Sequence, residues 1–137
     1  MAATEKHVFP KSMPALARAQ RVTEDASRVG FDWPEIEPVM KKLDEELSEL
    51  KSAMASGEKG RIQDEMGDVL LSLVNLSRFL KVEAEDALSE AVERFLRRFA
   101  YVQTQIQNQG RTLTDATLEE MDAFWEEAKK AESLRQP

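Results

Sequence analysis

An all-α fold, a bundle of four to five helices, is what this sequence predicts, and three observations carry it. The first is a pair of apolar repeats. Ile36, Met40, Leu43, Leu47, Leu50 and Met54, then Ile62, Met66, Val69, Leu73, Leu76 and Leu80, alternate spacings of four and three, as the buried faces of amphipathic helices do. The second is the linker between them, Ala55-Ser56-Gly57-Glu58-Lys59-Gly60, short and with two glycines, which returns the chain antiparallel. The third is composition. A chain of 137 residues with 42% hydrophobic residues, five glycines and five prolines suits one compact helical domain.

Taken in order, residues 1–12 read as a mobile arm without a signal peptide's apolar centre. Residues 13–133 form the domain and 134–137 a frayed tail. The first helix is expected from Met13 to Val29, with Pro14 in its first turn and Gly30 ending it. Phe31-Asp32-Trp33-Pro34-Glu35 leads into the second helix, Asp32 to Ala55, with Asp32 and Glu35 spaced as a capping box. The third helix spans Arg61 to Lys81. Val82-Glu83-Ala84 breaks the pattern without glycine or proline. The fourth helix runs from Glu85 to Asn108 and stops at Gln109-Gly110. Thr117 and Glu120 are spaced as a second capping box opening the last helix, whose buried face is Leu118, Met121, Phe124, Trp125 and Ala128.

The helix pair at the centre carries a charge pattern. Glu45, Glu46 and Glu49 cover about a quarter of one helix circumference beside the Leu43–Leu47–Leu50 stripe. Glu65 and Asp68 stand one turn apart on the next helix, flanking Met66 and Val69. Five carboxylates brought together by an antiparallel return repel unless a cation sits among them. A hard divalent cation, Mg²⁺ by preference with Mn²⁺ as the alternative, suits all-oxygen ligands. A solvated acidic face is the plain alternative, and the position of these acids beside the buried stripe speaks against it.

Composition excludes several classes. The net charge of −7, from 26 acidic and 19 basic residues, argues against a general nucleic-acid or anionic-membrane binder. No apolar run reaches the length of a membrane span. With no cysteine and the single histidine, His7, in the N-terminal arm, neither a zinc–thiolate site nor a cysteine or serine triad has its parts. These features suit a reducing cytoplasm.

The order Glu45-Glu46-Leu47-Ser48-Glu49, spacer, Glu65-Met66-Gly67-Asp68 resembles the metal motif of the MazG family of all-α nucleoside triphosphate pyrophosphohydrolases. Arg28-Val29-Gly30-Phe31-Asp32-Trp33, Val74-Asn75-Leu76, Arg97-Arg98-Phe99 and Trp125-Glu126-Glu127-Ala128-Lys129 extend the resemblance from about Pro14 to Ala131. It implies Mg²⁺-dependent hydrolysis of a nucleoside triphosphate to monophosphate and pyrophosphate, with Glu46, Glu49, Glu65 and Asp68 as metal ligands. It also implies a MazG-like bundle completed by dimerisation, as a homodimer or dimer of dimers. Glu45 would orient or deprotonate the attacking water, or serve as a further ligand, and Glu46 shares the catalytic assignment. Where the family shows Asn and Lys, this chain has Val92 and Arg94, which puts substrate contacts at that helix in question.

Candidate substrate groups follow from charge and helical spacing. Arg94 and Arg98 share a face at i, i+4, a spacing that suits two guanidinium groups on one triphosphate; Arg97 falls on another face. Trp125 and Lys129, one turn apart, suit a base and a phosphate, although core packing is the ordinary role of such a tryptophan. Lys42 is a further phosphate candidate. Asn75 either reaches a sugar or base or bridges helices. Arg18, Arg21 and Arg28 read as surface charge before phosphate ligands, and Trp33 and Phe31 either stack on a base or plug the turn. Rival activities are a phosphoribosyl-ATP pyrophosphohydrolase, a narrow dUTP or dCTP hydrolase, and a non-catalytic helical dimer that recruits a basic partner.

Overall fold

The computed structural model describes residues 11–135. It contains α1 (Ala15–Arg28), α2 (Ile36–Ser56), α3 (Lys59–Phe79), α4 (Ala84–Asn108), a 3-10 turn over Leu113–Asp115, and α5 (Leu118–Arg135), with no strand among the described residues. The expected all-α fold of four to five helices is observed, with five α-helices. Residues 1–10, His7 among them, and residues 136 and 137 lie outside the described residues, and α5 runs through Leu134 to Arg135. No helix among the described residues is long and apolar enough to cross a membrane. The chain groups into two compact units, one ending at Ala87 and the other starting at Leu88.

In the first unit, α2 and α3 pack against each other and α1 packs on α3. Their hairpin is tighter than expected, because Gly60 lies within α3 and Gly57 with Glu58 alone connects the helices. Gly57 takes φ 72° and donates its N–H to the Met54 carbonyl at 3.2 Å, a left-handed stop that costs a glycine no Cβ clash. The Arg61 guanidinium reaches back to Ser52 Oγ at 3.2 Å across the turn.

The α2–α3 seam differs from the simple reading of the repeat. Ile36, Leu43 and Leu50 are half-buried, but Met40, Leu47 and Met54 are 40–60% exposed, and the fully buried line is Val39, Glu46 and Ala53. On α3, likewise, Met66, Leu73 and Leu80 are exposed, while Val69 and Ser72 are buried and Glu65 is half-buried. Both lines satisfy a three–four spacing, being one residue apart on the helix. Hydrophobicity favours one, and the fold uses the other. Glu46 therefore lies in the seam itself rather than on its edge.

The expected Asp32 capping box is absent. Helix α2 opens at Ile36 from an extended Glu35 without a side-chain cap. The Asp32 carboxylate instead accepts from Arg78 Nη1 at 3.1 Å and Nη2 at 3.0 Å, and Arg78 Nη2 also donates to Asn75 Oδ1 at 2.8 Å. A bidentate pair with a guanidinium outweighs a neutral backbone N–H as partner for a carboxylate. The α3–α4 turn, which lacks glycine, closes with Lys81 at φ 61°. Buried Gln20 of α1 pins it by donating to the Val82 carbonyl at 3.0 Å and accepting from the Ala84 N–H at 2.8 Å.

In the second unit, Val102 and Ile106 of α4 and Ala128 of α5 are buried. Thr117 Oγ1 accepts the Glu120 N–H at 3.1 Å, which is half of the expected box. The other half is diverted, since the Glu120 carboxylate pairs with Arg111 at 2.5 Å. A reciprocal capping box forms instead between Thr112 and Asp115, around the 3-10 turn.

Arg78 holds the Asp32 carboxylate below its ordinary value of 3.8. That stabilisation is present above the unfolded carboxylate pKa and lost as pH falls through the lowered folded value. Asp32→Asn should therefore lower the unfolding free energy at neutral pH by about 1–2 kcal/mol, allowing for partial exposure. It should also flatten the acid limb of a urea-denaturation series measured against pH; an unchanged limb would show the pair to be ornamental.

Candidate functional site

The hairpin brings three carboxylates to one point. Glu46 and Glu49 of α2 and Glu65 of α3 each offer an oxygen, all within 4.8 Å of one another. They get there because Glu46 occupies an inward position of α2, Glu49 follows three residues later, and Glu65 occupies the matching inward position of α3. Glu46 is 5% exposed, yet its Oε2 has no hydrogen-bond partner, and the same holds for Glu65 Oε2. Glu46 Oε1 is met by Lys42 Nζ at 2.9 Å, while Lys42 lies 4.0 Å from Glu45.

The electrostatics follow from that crowding. Burial pushes the Glu65 carboxyl up, and the charges of Glu49, Asp68 and Glu46 push it further, with Glu49 close enough to share a proton in a hydrogen bond. The Lys42 ammonium is raised by its bond to Glu46 and by the neighbouring carboxylates. Asp68 acts on the cluster through its charge and stands outside the three that converge. Glu45 is exposed beside Lys42. The donor set is all carboxylate oxygen, and two buried oxygens lack partners, so these residues fit a hard divalent cation.

Asn75 is buried and its Oδ1 accepts from Arg78 of the same helix, which in turn grips Asp32 in the connection between α1 and α2. Arg21 and Arg28 are paired with Glu24 and Asp25 on their own helix. Trp33 is half-buried and Phe31 exposed, around a cleft of about 280 Å³ with Gly30 and Asp32.

In the second unit, Arg94, Arg98 and Lys129 do come together. They line a cleft of about 440 Å³ with Arg97, Glu132 and Arg135. Arg97, expected on another face, shares this cleft and lies 4.0 Å from Glu132. Beside it an apolar cleft of about 290 Å³ is walled by Phe95, Phe99 and Trp125. The Phe95 and Trp125 rings are 5.1 Å apart, and the Arg98 guanidinium lies 5.7 Å over the Trp125 ring. Glu132, which pairs with Arg98, was not singled out from sequence. Its one signal was its place seven residues after Trp125, on the same side of α5.

Residues 35–103 match the family model for the MazG nucleotide pyrophosphohydrolase domain, about half of the chain and all of the α2–α3 hairpin. The chain belongs to the MazG family. It is 45% identical over 117 residues to the Thermotoga maritima nucleoside triphosphate pyrophosphohydrolase/pyrophosphatase MazG, covering 85% of this chain and 45% of that protein. It is 39% identical over 126 residues to an Escherichia coli K12 nucleoside triphosphate pyrophosphohydrolase, covering 90% and 48%. A further relative, Bacillus subtilis YabN, is 44% identical over 71 residues. This MazG chain thus spans about half the length of the first two relatives.

Because burial and then like charges disfavour ionised Glu65, Glu65→Gln should raise the thermal midpoint of the metal-free MazG chain at pH 7. The gain should vanish at a pH where the wild-type carboxyl is protonated. Calorimetry at both pH values checks this, and a lowered midpoint at pH 7 would mean that Glu65 has an undetected compensating partner.

Proposed function

We propose that this MazG chain hydrolyses nucleoside triphosphates to a monophosphate and pyrophosphate, with Mg²⁺ held by Glu46, Glu49 and Glu65, joined by Asp68. The observation that supports this best is the pair of unpartnered buried oxygens, Glu46 Oε2 and Glu65 Oε2, within a cluster that has no internal cation except Lys42 on one side. When bound, the ion supplies positive charge against the phosphate chain and Lewis acidity at the reacting phosphorus. Mn²⁺ would fit the same ligands.

The chain's own residues do the rest. Glu45, exposed and free to meet water, accepts the proton as a water oxygen bonds to phosphorus and the phosphoanhydride bond breaks. Lys42, already strongly cationic beside Glu46, is placed to turn its ammonium from that carboxylate to a phosphate oxygen. Within the second unit, Arg94, Arg98 and Lys129 offer cationic groups suited to phosphate, and Trp125 offers an aromatic wall suited to a base. The cellular role consistent with this is clean-up of a cytoplasmic nucleotide pool.

We infer that the working form is a homodimer or a dimer of dimers. The support is the exposure of Met40, Leu47 and Met54 on α2, of Met66 and Leu73 on α3 and of Leu80 at its C-cap, each 40–60% exposed, apolar side chains that a second copy would cover.

Glu49→Gln and Asp68→Asn should each abolish pyrophosphate release, measured over a panel of canonical and modified triphosphates, while the helical circular-dichroism signal stays intact. Mg²⁺ should raise the wild-type thermal midpoint and leave that of Glu49→Gln nearly unmoved. Retained turnover in both variants would sink the metal assignment, and the panel separates a broad hydrolase from one narrow for dUTP, dCTP or phosphoribosyl-ATP. Paired Leu47→Glu and Leu73→Glu substitutions should shift sedimentation from dimer to monomer; a wild-type chain that sediments as a monomer would refute the dimer.

A further inference from the structure

Of the arginines lining the cationic cleft, Arg98 is the one restrained on two sides. Its side chain is 20% exposed, against 61% for its neighbour Arg97. Its Nε and Nη2 both donate to Glu132 Oε2, at 3.0 and 2.8 Å. The face of the guanidinium lies over Trp125, and Trp125 leans in turn on Phe95. One edge of the fork and one face are thus taken, which leaves the Nη1 hydrogens and the outer Nη2 hydrogen to meet a ligand. Glu132 is itself held below the ordinary carboxylate range, first by the Arg98 hydrogen bonds and then by the charges of Arg98, Arg97 and Arg94.

We propose that Glu132 is a positioning residue for phosphate recognition, its carboxylate holding the Arg98 guanidinium edge-on so that the remaining donors face the cleft. This rests on the reading of Arg98 as a phosphate-binding group given above. A free surface arginine must give up its rotamer freedom when it grips an anion; ordering one such side chain costs about two- to ten-fold in affinity. An arginine already fixed by Glu132 and Trp125 has met that cost on folding. The opposing effect is repulsion between the Glu132 carboxylate and an incoming phosphate. That repulsion is screened by salt, and Arg94, Arg97, Lys129 and Arg135 line the same cleft, whereas the loss of orientation is not screened. Orientation therefore dominates at physiological ionic strength.

The test uses the full chain with Mg²⁺ and inorganic pyrophosphate as the probe, read by calorimetry, alongside KM and kcat for the best substrate of the nucleotide panel. Glu132→Ala should weaken pyrophosphate binding and raise KM by about three- to ten-fold with little change in kcat. Glu132→Asp, which keeps the charge, should recover part of the loss, and the isosteric Glu132→Gln should fall between them. In an Arg98→Ala background, Glu132→Ala should add less than about two-fold, because its partner is already gone. Tighter or unchanged pyrophosphate binding in Glu132→Ala overturns the proposal, as does an equal loss with and without Arg98. If Arg98→Ala alone leaves pyrophosphate binding and KM intact, the reading of Arg98 itself fails and takes this one with it.

Discussion

The burial of one carboxylate between α2 and α3 constrains much of the first unit. Withdrawing a charged oxygen from water costs several kcal/mol unless it is paired, and Glu46 has Lys42 on Oε1 and nothing on Oε2. A site of that kind survives only where the surrounding packing holds it. The buried line through Glu46 is completed by Val39 and Ala53, and on α3 Val69 and Ser72 are buried. These are small or β-branched side chains, and they let the helices approach closely enough for carboxylates from both to converge within 4.8 Å. Larger residues along that line would hold the helices further apart and disperse the cluster.

This arrangement has a second consequence. A seam built from small residues and acids buries little apolar area, so it contributes less hydrophobic stabilisation than two long leucine-rich helices would suggest. Ile36, Leu43 and Leu50 are only half-buried, and Met40, Leu47 and Met54 with Met66, Leu73 and Leu80 are 40–60% exposed. The proposed second copy and the carboxylate cluster are then two results of one choice of helix rotation. The rotation that gathers the carboxylates is the one that presents the methionines and leucines outward.

That rotation is also where sequence reasoning stopped. Helix identity, order and the acidic residues were legible, because a long amphipathic period and clustered glutamates survive any local error. The choice between the lines 39/46/53 and 40/47/54 was not, because both repeat every seven residues and hydrophobicity alone selects the line with leucine and methionine. Only the packing partner decides. Asp32 shows the same limit at another scale. Its spacing from Glu35 satisfies a local capping rule, but its actual partner, Arg78, lies 46 residues away. Lys81 takes a left-handed conformation that a sequence reader reserves for glycine, held there by Gln20 from α1. Each miss is a long-range interaction overriding a correct local preference.

Trp125 poses the sharpest question of attribution in the second unit. Its ring walls the apolar cleft, touches Phe95, and carries the Arg98 guanidinium over its face. A substitution there removes the proposed surface for a base and the support of the Arg98 guanidinium together. Loss of nucleotide affinity in such a variant would therefore not demonstrate base stacking, because the same loss follows from a loosened Arg98. The two contributions part by ligand rather than by residue. Stacking acts on a nucleotide and not on inorganic pyrophosphate, which has no base, whereas support of Arg98 acts on both. The pyrophosphate response thus isolates the arginine's share, and what remains for the nucleotide belongs to the ring.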